Sequence, residues 1–176
     1  MRWLAPILSF TAEEIWRFLP GAREQSVLHS TWAKLPETGE GKIDWPALIN
    51  LRADVTRQLE GLREQGVIGA PLDAEVDVYC DAAQYPRFAA LGEELRFLFI
   101  TSAARVHSVS AAPAGAVAAT TAAPEGVWIV VHTSNSTKCV RCWHHRPDVG
   151  SNARHPAFCS RCASNLEGPG ETRRFV

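Results

Sequence analysis

The sequence predicts an α+β chain: helices first, then a small α/β unit, then a C-terminal segment organised by four cysteines. Three observations carry that prediction. Apolar residues recur near a 3.6-residue period at Leu48, Leu51, Val55, Leu59 and Leu62, the mark of a helix with one buried face. Leu72, Ala74, Val76 and Val78 alternate with Asp73, Glu75, Asp77 and Tyr79, the period of a half-buried strand. Cys139-Val140-Arg141-Cys142 is answered by Cys159-Ser160-Arg161-Cys162. The expected boundaries are a helical region over 1–70, an α/β unit over 71–133 and a four-cysteine tail over 134–176.

Taken in order, Thr11-Ala12-Glu13-Glu14 reads as a capping box, with the Thr11 hydroxyl accepting a free first-turn amide and Glu14 reaching back. Ile15, Trp16 and Leu19 form a short apolar stripe, and Pro20-Gly21 ends it. The longer helix starts near Asp44-Trp45-Pro46, where proline suits the first turn, and closes at Gly66 and Gly69-Ala70-Pro71. Pro36 to Gly41 is a loop. After the strand around Val76 come a helix-like segment from Gln84 to about Phe97, a possible strand within Leu98 to Val109, and a strand from Val127 to His132. Between these last two, Ala111 to Pro124 is rich in Ala, Thr, Pro and Gly and reads as a loop.

Charge is unevenly spread. The 176 residues carry 18 Lys+Arg against 19 Asp+Glu. Residues 1–133 hold 11 and 16 of these, and residues 134–176 hold 7 and 3, so the C-terminal quarter is the basic part. A nucleic-acid partner must therefore be held by a local patch, not by whole-molecule attraction. Apolar runs such as Phe97 to Ile100 and Val127 to Val131 are too short to cross a membrane, and no secretory leader is evident. The expected location is cytoplasmic, where grouped cysteines point to metal or redox chemistry before disulfides. The sequon Asn135-Ser136-Thr137 is read as chance.

Two residues between cysteines let a tight turn aim both sulfurs at one point, and two such turns complete a tetrahedron. One structural Zn2+ held by Cys139, Cys142, Cys159 and Cys162 is the expected cofactor. A redox pair would use a single CxxC, and a catalytic zinc would keep one coordination position for water. One of His144, His145 or His155 replacing a cysteine is the variant reading, and Cys80 is a buried apolar residue. Arg141 and Arg161, inside the knuckles, either compensate the thiolate charge or contact phosphate. Lys138, Arg146, Arg154, Arg173 and Arg174 lie outside the knuckles and are nucleic-acid candidates, interleaved with Trp143, His144, His145, Phe158 and Phe175. Aromatic rings among guanidinium planes suit the splayed bases of single-stranded RNA. The competing reading makes Trp143 and Phe158 the small core over the metal.

The run from Lys138 to His144, with Asp148-Val149-Gly150, His155-Pro156, Cys159 to Cys162, Asn165 and Gly168 to Arg173, closely resembles the C-terminal zinc segment of bacterial isoleucyl-tRNA synthetases. Leu4 to Trp16 is similar to a helix opening in the anticodon-binding domain of class I synthetases for aliphatic amino acids. The resemblance implies a partial anticodon-binding bundle, a small α/β unit and a zinc tail that grip the anticodon stem-loop of isoleucine tRNA. It implies a catalytic half, supplied in cis or in trans, as partner. No His-Ile-Gly-His-like or Lys-Met-Ser-Lys-Ser-like motif is present and Met1 is the only methionine, so ATP would belong to that other half and the chain alone is not expected to activate isoleucine. A truncated bundle should expose apolar surface around Trp3, Ile7 and Phe10. The alternatives are a free-standing zinc-dependent RNA-binding protein acting in trans, and a DNA-repair glycosylase-type zinc-finger protein. The second lacks support at the chain start, where Arg2-Trp3 follows Met1 in place of a catalytic proline and glutamate. Neither membrane nor DNA is an expected partner.

Overall fold

Residues 1–35, 43–120 and 126–175 are described by a computed structural model, in which the chain divides into two units, Met1–Gly41 and Lys42–Val176. The loop expected over Pro36 to Gly41 lies outside the described residues.

In the first unit, helix α1 (Ser9–Phe18) begins two residues ahead of the expected Thr11 cap. A turn at Leu4 already supplies helical acceptors: the Ile7 and Leu8 amides donate to Leu4 O at 2.9 and 2.7 Å. The capping box of Thr11 and Glu14 accordingly does not form. Glu13 does the local work instead, its carboxylate accepting the Ser26 hydroxyl at 2.8 Å and the Val27 amide at 3.0 Å. Trp16 is buried with Ala5, Ala12 and Val27, and its indole N–H donates to Glu24 O at 2.8 Å. Of the expected stripe, Ile15 and Leu19 remain exposed. Trp3, Ile7 and Phe10 are exposed as expected, Phe10 to 93%.

The second unit is built on helix α2 (Trp45–Glu64) and a four-stranded sheet. Asp44 caps α2 by accepting the Ala47 amide at 3.0 Å, with Pro46 in the first turn. Its C-terminus closes through Gly66 at φ +71°: the Gly66 amide donates to Arg63 O and the Val67 amide to Leu62 O, each at 3.0 Å. That pairing satisfies two carbonyls the helix would otherwise leave open. Strands β1 (Ala74–Cys80), β2 (Ala103–Ser108), β3 (Val117–Ala118) and β4 (Val127–Thr133) lie in the order β2-β1-β4-β3. β1 and β2 run parallel, joined through α3 (Tyr85–Ala89) and α4 (Leu95–Phe99), and the other pairs are antiparallel.

One face of the sheet carries the core. Leu48, Leu51, Val55 and Leu59 of α2 pack with Val76, Val78 and Ile129 of the sheet and Phe88, Leu95 and Phe99 of the crossover. The long helix of the expected 1–70 region is thus packed with the α/β unit, in a unit that excludes α1. Three local expectations change. The helix from Gln84 to Phe97 is two short helices, because Gly92 at φ +51° breaks it, and α4 ends at Ile100 in the left-handed region, φ +59°. The Ala-rich stretch is not all loop, since Val117 and Ala118 pair with Ile129 and Trp128. Its residues 121–124 lie outside the described set. Among the described residues no helix is long and apolar enough to cross a membrane.

Candidate metal centre and nucleic-acid interface

The tail after β4 contains little regular structure beyond α5 (Ser160–Glu167). The first knuckle is a hairpin-like turn: Lys138 and His145 form an antiparallel bridge, the Cys139 amide donates to His144 O and the Trp143 amide to Cys139 O, both at 2.9 Å. Closing it puts Trp143 at φ +66°, a conformation that side chains rarely adopt without being held there. The second knuckle is the start of α5, with Cys159 at its N-cap and Cys162 in its first turn, where the helix dipole favours thiolate.

These turns bring the four sulfurs of Cys139, Cys142, Cys159 and Cys162 within 4.8 Å of one another. A tetrahedral ion with Zn–S near ~2.3 Å requires sulfurs ~3.8 Å apart. Cys142 Sγ and Cys159 Sγ stand at 3.8 Å, far beyond the ~2.05 Å of a disulfide. Burial and the neighbouring Cys142 sulfur raise the Cys159 thiol, and burial raises Cys162. Cys139 is also buried but ends below its ordinary value, because backbone N–H groups of Cys142, Cys159 and Arg141 point at it. Four thiolates this close need a cation to coexist, and the donor set fits one closed zinc site with no position left for water. No histidine joins them within that radius among the described residues. Cys80, fully buried in β1 with its thiol pushed up to about 11 by burial, is an inert core residue.

Arg141 and Arg161 sit inside the knuckles beside the sulfurs, and against burial the neighbouring Cys142 and Glu171 raise the Arg161 pKa. Both knuckle arginines therefore offset thiolate charge. The aromatic residues divide. Phe158 packs with Val149 against the cysteines and stacks on His155 at 5.2 Å, whereas Trp143 is 62% exposed.

The basic candidates do not form one patch. Lys138 lies 3.6 Å from Asp73, and Arg154 pairs with Glu167 at 2.7 Å on α5. The Arg174 amide binds Glu94 at 2.8 Å, leaving its side chain exposed. Arg146 and Arg173 do come together with Arg161, read above as a charge-compensating or phosphate-contacting knuckle residue, and with Arg96, which the sequence reading did not single out. Arg173, Arg96 and Arg161 stand over the Phe97 ring at 3.9, 4.4 and 5.3 Å from its centroid. Burial and then the charge of Arg146 hold Arg96 below the usual guanidinium range. His144, edge-on to Phe97 at 5.9 Å, is lowered to about 4 by burial and by Arg96, Arg161 and Arg146, so it is neutral. Arg96 was discoverable as the lone charge in the apolar run from Leu95 to Ile100. A second cluster was also missed: on the sheet face away from α2, Asp77 accepts Arg105 Nε and His107 Nε2 at 2.8 Å and His132 Nε2 at 3.0 Å.

Comparison with known proteins defines the class first. Residues 1–78 match the anticodon-binding domain of tRNA ligases, and residues 136–165 match the zinc finger found in FPG and IleRS. The finger alone does not separate a glycosylase from a synthetase; the anticodon-binding match does. The chain is 49% identical over its whole length to an isoleucine–tRNA ligase of Nitrosococcus oceani and 49% to one of Ectopseudomonas mendocina. It is 47% identical over 99% of its length to one of Methylococcus capsulatus, and it spans 19% of each of these relatives. The chain is homologous to the C-terminal portion of the isoleucine–tRNA ligases.

Proposed function

We propose that this chain supplies tRNA recognition to an isoleucine–tRNA ligase, meeting the anticodon stem-loop of isoleucine tRNA, with catalysis and ATP use belonging to a partner half in cis or in trans. Cys139, Cys142, Cys159 and Cys162 hold one structural zinc, and the metal's contribution is to fix the two knuckles. The observation that carries the reading is the pairing of an anticodon-binding region with a zinc-ordered tail that presents Trp143 to solvent. Exposing a large ring on a backbone held at positive φ is unfavourable for a free surface, and a base stacked on that ring offsets the cost. Lys138, Arg146, Arg154, Arg173 and Arg174 supply the surrounding positive charge. Phosphate contacts of this kind position the RNA, and few side chains read bases.

The test is filter binding of isoleucine tRNA and a non-cognate tRNA to the zinc-loaded chain, alone and with a catalytic half added. Preferential retention of isoleucine tRNA supports the reading. Equal retention of both under each condition refutes it.

A further inference from the structure

We propose that Arg96, Arg146, Arg161 and Arg173, gathered around Phe97 where α4 meets the zinc tail, form an oxyanion site that takes one backbone phosphate of single-stranded RNA. The proposal rests on the tRNA reading above and joins one knuckle residue, Arg161, to three arginines outside both knuckles.

The argument is one of donor accounting. Arg96 is 7% exposed, yet its only hydrogen bond among the described residues runs from Nε to Glu93 O at 3.2 Å, so both terminal nitrogens lack a protein acceptor. Arg146, 23% exposed, makes no side-chain hydrogen bond at all among the described residues: Glu93 and Asp148 each stop at 3.6 Å. Arg161 Nε is buried without a partner. Guanidinium donors left open at sheltered positions are costly, and native proteins satisfy nearly all of them.

The acids nearby do not fill that role. Asp148 Oδ2 is occupied at the start of α5, where it accepts the Ser160 amide at 3.1 Å and the Ser160 hydroxyl, and its buried Oδ1 stays 3.6 Å from Arg146 Nε, beyond hydrogen-bond length. Glu171 is held by Arg161 Nη1 at 3.1 Å, Arg173 at 3.0 Å and its own amide's bond to Asn165. Glu93 is 76% exposed and reaches Arg96 only at 3.8 Å, so a stronger anion displaces it without breaking a hydrogen bond. A phosphate presents several acceptors to planar, forked donors, which is the chemistry such an arrangement recognises best. A polynucleotide is favoured over free phosphate by Trp143, which is exposed and adjacent in sequence to His144, itself packed on Phe97.

The test uses the full zinc-loaded chain and two variants, Arg96→Gln and Arg146→Gln. Arg146 is the safer of the two for folding, because its side chain is more exposed than that of Arg96. Inorganic phosphate is titrated while the arginine Nε–H resonances are followed by NMR, and tRNA binding is measured across a tenfold range of salt. Phosphate is expected to shift the Arg96 and Arg146 signals. Each variant is expected to flatten the log–log salt dependence by about 0.7, so it loses about fivefold less affinity than wild type over that range. Unmoved arginine signals overturn the site. Shifted signals with an unchanged salt slope in Arg146→Gln overturn the RNA assignment and leave a free-phosphate site. If wild type binds no tRNA, the tRNA reading fails by itself, and the same slope comparison on oligouridylate decides the basin.

Discussion

Replacing Cys142 by serine tests the physical basis of the tail. Apart from the cysteines themselves, the apolar residues packed at the centre are Val149 and Phe158. Fully burying two such side chains returns only about 3–6 kcal/mol. Structural zinc contributes about 10–16 kcal/mol in finger-sized peptides, or about 3–4 kcal/mol per thiolate if shared equally. Losing one thiolate should thus weaken zinc by a factor of about 10²–10³, and the loss exceeds what Phe158 packing can replace. Hydrogen exchange reads the outcome locally. In Cys142→Ser, or in wild type after chelation, the amides of Cys139, Trp143, Arg146 and Ala163, all bonded within the tail, should lose protection. Those of Val76, Val78 and Ile129, paired inside the sheet, should keep it. Tail protection unchanged by chelation would refute the claim that metal orders this segment.

Three further outcomes are expected. Gly66→Ala, at φ +71° beyond the end of α2, should cost about 1 kcal/mol in urea unfolding with no change in m-value. Asp77, held near 2 against burial by Arg105, His107 and His132, contributes stability that is complete above the unfolded carboxyl pKa near 3.8 and lost as pH falls through about 2. Asp77→Asn should remove about 2 kcal/mol of stability that wild type loses between pH 4 and 2, and so flatten the acid limb of its melting curve. Trp143→Ala should bind zinc as wild type does, by cobalt-substituted absorption, while RNA affinity falls by about 1–3 kcal/mol, the range for one base stacked on an aromatic ring.

The parts of this molecule legible in its sequence are those where a local pattern and the tertiary environment demand the same thing. The stripe from Leu48 to Leu59 and the Asp44 cap agree with the packing of α2, and the two CxxC turns are sufficient to aim four sulfurs at one point. Failures occur where a distant partner decides. Thr11 carries a sound capping signal, but the upstream turn at Leu4 had already begun the helical bonding, which leaves Thr11 inside α1. The expected helix from Gln84 onward breaks because Gly92 adopts a conformation open to it alone among its neighbours, which periodicity does not register. The basic tail residues were legible as charge but not as a site, because Arg154 and Lys138 went to Glu167 and Asp73, while the residue that gathers Arg173 sits on α4.

That last point ties metal to anion. Arg96 and Phe97 belong to the sheet-bound body, Arg146, Arg161 and Arg173 to the tail, and the two are pinned by the His145 amide to Ser102 Oγ at 2.6 Å and by Glu94 to the Arg174 and Phe175 amides at 2.8 Å. The basin exists only while the tail is ordered against α4, so whatever orders the tail also creates the basin. Linkage then requires the converse with equal magnitude: an anion bound between the two pieces must tighten zinc by the factor by which zinc tightens the anion. Zinc affinity measured by competition with a chromophoric chelator should therefore rise with inorganic phosphate in wild type and stay flat in Arg146→Gln. A wild-type zinc affinity indifferent to phosphate, at concentrations that shift the Arg96 resonance, would show that the tail holds its place on α4 without the metal.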